Sequence, residues 1–188
     1  MSNRKQRRFL KRWAKKFSPY LKRCGERIIS ISAFYFPFAE VASYFGPKVF
    51  LNTDSVPMRM FYSTRIERLS RFYTDNNLLI FIFMVWVFIV CVRGSQSGNF
   101  PLTKYVRYNV IQAILLNIVC SCSGVIFTYL PIVLRETMVG LVFANYLFLG
   151  IVLTILYSSL LIAYGRFPKI PILSEAAKIQ VQQFRGID

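Results

Sequence analysis

Few residues in this 188-residue sequence could carry out chemistry. It has no histidine, which removes the commonest general base, proton shuttle and metal ligand. Its four cysteines are Cys24, Cys91, Cys120 and Cys122; none forms a Cys-x-x-Cys pair and three lie in apolar stretches. They read as small buried side chains rather than as a metal or redox site. There is no phosphate-cradling glycine loop, no paired catalytic acids and no nucleophile–base set, and a serine or cysteine nucleophile would lack its usual base. The sequence therefore reads as non-enzymatic, with no catalytic residue, no metal and no cofactor.

What remains is hydrogen bonding inside apolar sequence. When residues 106–124 are projected as a helix, Asn109, Gln112, Ala113, Leu116, Asn117, Cys120, Ser123 and Gly124 fall within about 140° of one another. Val110, Ile111, Ile114, Leu115, Ile118, Val119, Val125 and Ile126 take the other side and suit lipid. Amides are costly against lipid, so the face with Asn109, Gln112, Asn117 and Ser123 should meet protein or water. Two readings stay open. The amides could tie neighbouring helices together, or they could line a hydrated path for a polar solute or a polypeptide. The stripe holds no acid or base, which argues against proton coupling through it. Glu40 is the one acid inside an apparent span, and a buried carboxyl needs a partner or its proton. Gly140 and Ala144 stand four apart, a weak small-residue packing pattern, and Asn145 offers another interhelical bond.

The elements that position these residues are membrane helices. Apolar types make up 55% of the chain, with 18 Phe and 11 Tyr, more than a soluble core of this size could hide. Uncharged runs of 17, 27 and 29 residues follow Asp75, Arg107 and Glu136, and backbone in lipid must bond internally, so they are helices. A weaker span, interrupted by Pro37, covers 28–47. The expected organisation is all-α, with spans about 28–47, 76–92, 108–132 and 138–165. An interfacial helix over 57–73 and a tail over 166–188 complete it. In the interfacial helix Met58, Phe61, Tyr62, Ile66, Leu69, Phe72 and Tyr73 form an apolar stripe flanked by Arg59, Arg65, Arg68 and Arg71. A helix packed on another subunit would show the same pattern.

The net charge is +16, and eleven Lys/Arg lie in residues 1–27. Phe9, Trp13, Phe17, Tyr20 and Cys24 stand between them at helical spacing, which describes a basic arm on an anionic membrane surface, with Trp13 at headgroup level. RNA or ribosome binding is the rival reading of the arm. With four spans, the arm, the loop carrying Arg93, Lys104 and Arg107, and the tail share one side, so both termini face the compartment of synthesis. Three spans give nearly the same bias. No cleavable signal or chloroplast transit sequence is expected.

The run Val106-Arg107-Tyr108-Asn109, then Gln112-Ala113-Ile114-Leu115-Leu116-Asn117, resembles the signature of the twenty-kilodalton subunit of the Tic translocon, in the inner envelope membrane of plastids. The signature is an Arg-aromatic-Asn/His lead-in to a span, followed by Gln-Ala and an aliphatic run. Here Arg107, Tyr108, Asn109, Gln112 and Ala113 carry it. The Pro-broken first span with Tyr35 and Pro37, the amphipathic stretch and Ile170-Pro171 agree. The resemblance spans about residues 28–180 and leaves the basic arm outside. Asn117 departs from it, since relatives often carry an acid there, and Asn109 replaces the His of some relatives. The resemblance implies a plastid-encoded membrane core subunit of the preprotein import machinery that contributes to a protein-conducting path, with both termini stromal. Its implied partners are other Tic and Toc subunits in a hetero-oligomer, transiting preproteins and anionic lipids, and no DNA. A small-solute channel or carrier and a purely structural scaffold subunit are the alternatives.

Overall fold

The computed structural model describes residues 20, 22–51, 55–93 and 102–182. Every regular element among them is helical. Helix α1 runs over Lys22–Phe50. Its hydrogen-bond ladder breaks at Phe34, whose N–H donates to Ile31 O rather than one residue further back. Pro37 causes this break a turn upstream, because it has no N–H for the Ala33 carbonyl and its ring crowds that carbonyl. The second half, Tyr35–Leu51, resumes as a regular helix that absorbs Pro47.

The arginine-rich segment forms α2, made of Val56–Phe61, a π-helical turn Tyr62–Ile66 and Glu67–Asp75. A bend of 79° at Asn76 separates it from α3, Asn77–Arg93. Helix α4, Lys104–Tyr129, is followed by the short α5, Ile132–Glu136, and by α6, Met138–Ala163. The chain ends its described part in α7, Leu173–Gln182. Three helices (α1, α4 and α6) are long and apolar enough to cross a membrane, and the bent pair α2–α3 makes a fourth candidate. The protein is an all-α membrane protein.

Helix α1 is the centre of the bundle and packs against α2, α4 and α6. Phe34, Val41, Ala42 and Phe45 of α1 meet Ala113, Leu116, Cys120 and Phe127 of α4 and Ala144, Phe148 and Ile151 of α6. Helices α1 and α4 approach closely where Gly124 lies under the Tyr44 ring, which occupies the space a Cβ would need. Most of α6 and α3 faces outward through large apolar side chains such as Leu79, Ile82, Trp86, Leu149 and Leu156, as expected of lipid-facing surface.

The two-sided pattern of α4 survives only in its second half. Ile118, Val119, Val125 and Ile126 are exposed, whereas Val110 and Ile111 are buried. The cause is tertiary. Cys91 of α3 and Ala177 of α7 pack with Val106, Tyr108, Val110 and Ile111 on that flank of α4, so residues 106–113 are buried on every side.

Candidate functional site

The signature residues stand at the first turns of α4 and face in different directions. Arg107 is buried, and its Nε donates to Cys91 O at 2.5 Å. That carbonyl belongs to the last turn of α3, where unpaired carbonyls carry partial negative charge that a guanidinium suits. Tyr108 Oη donates to Pro168 O at 3.2 Å, and Gln112 Nε2 reaches both Tyr108 Oη at 3.0 Å and Pro168 O at 3.3 Å. Phe167 meets the rings of Tyr105 and Tyr108 edge-on, with centroids 5.2 and 5.3 Å away. One turn earlier Tyr105 Oη donates to Ile162 O at 3.0 Å. Arg27 Nη1 closes the same junction through Ala163 O at 2.9 Å. Gly165, at φ 75°, turns the chain there, and a Cβ on it would strike the Arg27 guanidinium. The signature thus clasps the segment leaving α6 onto the start of α4 and anchors the end of α3.

A second polar centre lies at mid-helix. Glu40 of α1 is buried and accepts from Ser121 Oγ of α4. Tyr73 of α2 packs with Ala39 beside this pair, and its hydroxyl lies close to both Glu40 and Asn117. Three helices therefore meet through one carboxyl, one phenol, one amide and one serine.

Asn109 and Gln112 are 0% exposed and Asn117 is 2% exposed, so the amides lie inside the chain itself. Ser123 is half-buried and bonds within its own helix, to Val119 O at 2.8 Å, so it does not join them. Among the described residues neither side-chain polar atom of Asn109 finds a hydrogen-bond partner, although the Tyr105 hydroxyl is close, and Gln112 Oε1 and Asn117 Oδ1 likewise find none.

Arg59, Arg65, Arg68 and Arg71 are all exposed on α2. The opposite face buries Tyr62, Ile66, Ser70 and Tyr73, with Tyr62 stacked on Phe50 of α1 at 5.5 Å. Apolar residues thus occupy two faces of α2, since Phe61 and Phe72 stay exposed. Arg71 pairs with Glu67 at 2.5 Å. At the end of the bundle away from the signature, Lys48 Nζ contacts Glu136 Oε1 at 2.5 Å, and this hydrogen bond holds the Glu136 carboxyl below its ordinary range. Trp13 and most of the basic arm lie outside the described residues.

Sequence reasoning did not foresee Tyr73, Ser121, Tyr105 or Pro168 as partners of the stripe. Tyr73 and Ser121 were readable only as members of helical faces. Nothing in the local sequence marks the Pro168 carbonyl as an acceptor. Among the described residues no three His, Cys, Asp or Glu side chains converge where a metal could bind.

Arg107, Tyr108 and Gln112 of this clasp belong to the signature, and comparison with known proteins decides the family of the chain. A family model described as "Chloroplast import apparatus Tic20-like" matches residues 5–177. The chain belongs to the Tic20 family. A Tic20 family protein Ycf60 of Porphyra purpurea is 31% identical over 86% of this chain and 78% of its own length. Its namesake in Gracilaria tenuistipitata var. liui is 30% identical over 83% of this chain and 75% of its own. The protein TIC 20-v, chloroplastic, of Arabidopsis thaliana is 26% identical over 84% of this chain and 71% of its own. No solved structure matches. The Tic20 match begins at residue 5, so it takes in most of the basic arm that the resemblance had left outside.

Proposed function

We propose that this Tic20 family chain is a membrane core subunit of the preprotein import translocon of the plastid inner envelope. Family membership gives the coarse role, plastid protein import. The finer assignment is a subunit that contributes one wall of a protein-conducting path, alongside other Tic and Toc subunits in a hetero-oligomer. Both termini lie on the stromal side, and anionic lipids meet the basic arm.

The observation that carries the reading is where the signature sits. Tyr108 and Gln112 hold the Pro168 carbonyl and Arg107 holds the end of α3. Three residues of the signature are therefore spent on one bundle geometry. Four thin spans cannot enclose a polypeptide, so a path has to form between this chain and its partners. Within the wall Gln112 ties α4 to the segment leaving α6, and Asn109 and Asn117 lie buried on the same face. Their burial also favours a second reading, a scaffold subunit that only holds the partners in place.

The test is a precursor arrested in transit through envelope carrying a tagged form of the chain. The arrested precursor should co-purify with it. Cysteines placed at exposed positions on the wall should crosslink to it if the chain lines the path, and no position should crosslink if it is a scaffold. Absence of the precursor from the tagged complex would remove both readings.

A further inference from the structure

The contacts of α1 set a depth scale for its neighbours. Glu40 reaches Ser121, Tyr44 covers Gly124 and Phe45 meets Phe127 at 5.3 Å, so α1 and α4 run in the same direction and in register. Asn117 stands at the middle of the 26-residue α4. At 1.5 Å per residue α4 is about 39 Å long, and a hydrocarbon layer of ~30 Å centred on it places its midpoint some ~15 Å below either surface.

Helix α2 spans this scale. Tyr62 stacks on Phe50 and lies against Gly46, near the end of α1, whereas Tyr73 packs with Ala39, next to Glu40 at the middle of α1. Helix α3 continues from that level. Ile80 packs with Ala39, Phe83 faces Phe36 at 6.0 Å, and Cys91 reaches Arg107 near the other end of α4. The bend at Asn76 therefore falls at mid-depth.

One face of α2 conflicts with hydrocarbon at that depth. Thr64, Arg68, Arg71 and Asp75 follow one another at spacings of four, three and four, which puts them in one stripe. All four are exposed, on the face away from buried Tyr62, Ile66 and Tyr73. Arg71 and Asp75 flank Tyr73 in sequence and so sit near the level of Asn117. Guanidinium and carboxyl groups there are costly against lipid tails, so the stripe needs water.

We propose that α2 and α3 form a single broken span and that Thr64, Arg68, Arg71 and Asp75 line a water-filled cleft. The cleft enters the bilayer from the end marked by the Lys48–Glu136 pair. It stands on the fold and holds whether or not the chain takes part in import. It differs from the surface-lying helix expected from sequence, which would keep all four residues at one shallow depth.

The test uses the full chain with its cysteines replaced by serine, reconstituted in liposomes, with single cysteines Thr64→Cys, Arg68→Cys and Arg71→Cys. The lipid-facing control is Ile82→Cys on α3 and the surface control is Thr137→Cys. A charged, membrane-impermeant thiol reagent should label the three stripe positions at rates near that of Thr137→Cys, and Ile82→Cys at least about tenfold more slowly. A spin label at Arg71→Cys should report greater depth than one at Thr64→Cys. Equal, headgroup-level depths at both positions would overturn the broken span. A deep but unlabelled Arg71→Cys would overturn the cleft, because lipid or protein would then cover the stripe.

Discussion

Two amides on one helix face, three residues apart, do different work. Gln112 gives up hydrogen bonds to Tyr108 and Pro168 when replaced, so Gln112→Leu should lower stability by about 1–2 kcal/mol. Asn109 is equally buried yet finds no partner for either atom among the described residues, and Asn109→Leu should be neutral or stabilising, since it removes the cost of burying an unmatched amide. Thermal unfolding of the purified variants in detergent separates the two, and equal losses would contradict the pairing described. Arg107→Lys should also destabilise, by about 2 kcal/mol, because an ammonium cannot reproduce a guanidinium Nε contact to Cys91 O. The amide stripe was legible from helical spacing alone. Its partners were not, because Tyr73, Tyr105 and the Pro168 carbonyl come from segments far away in sequence. Glu40 shows the same limit. A lone acid within a span announced that it needed a partner, and only the packing of α1 on α4 supplied Ser121.

At the scale of elements, the close approaches of α1 are the fragile points. Gly124→Val should weaken the bundle, because its Cβ would occupy the Tyr44 ring, and Tyr44→Ala in the same chain should recover part of the loss. Melting temperatures of the single and double variants check this by a cycle, and additive losses would contradict it. The Lys48–Glu136 contact joins the end of α1 to α5. Its carboxyl is held below the ordinary range, so the contribution is present above the ordinary carboxylate pKa and is lost as pH falls through the lower folded value. Glu136→Gln should flatten that acid-side dependence, modestly because solvent reaches the carboxyl and screens the pair. Helix existence was legible from uncharged run lengths, but two details were not. The break in α1 falls at Phe34 rather than at Pro37, since proline damages the ladder one turn before itself. The first turns of α4 are covered on the side that periodicity gave to lipid, since α3 and α7 pack there. Periodicity reports which faces differ, and tertiary packing decides what each face meets.

For the whole molecule, composition and run lengths fixed an all-α membrane protein, and the five-residue signature led to the Tic20 family that residues 5–177 match. Arg107, Tyr108 and Gln112 of that signature work as a clasp between segments of one chain. On the proposed function, the chain supplies one wall of a path and works in company with partner subunits. The most direct test of that account is to tag the C-terminus, solubilise the envelope gently and identify what remains in a high-mass native complex. The account predicts stoichiometric co-purification of inner-envelope import components. A homogeneous homo-oligomer free of such partners would contradict it.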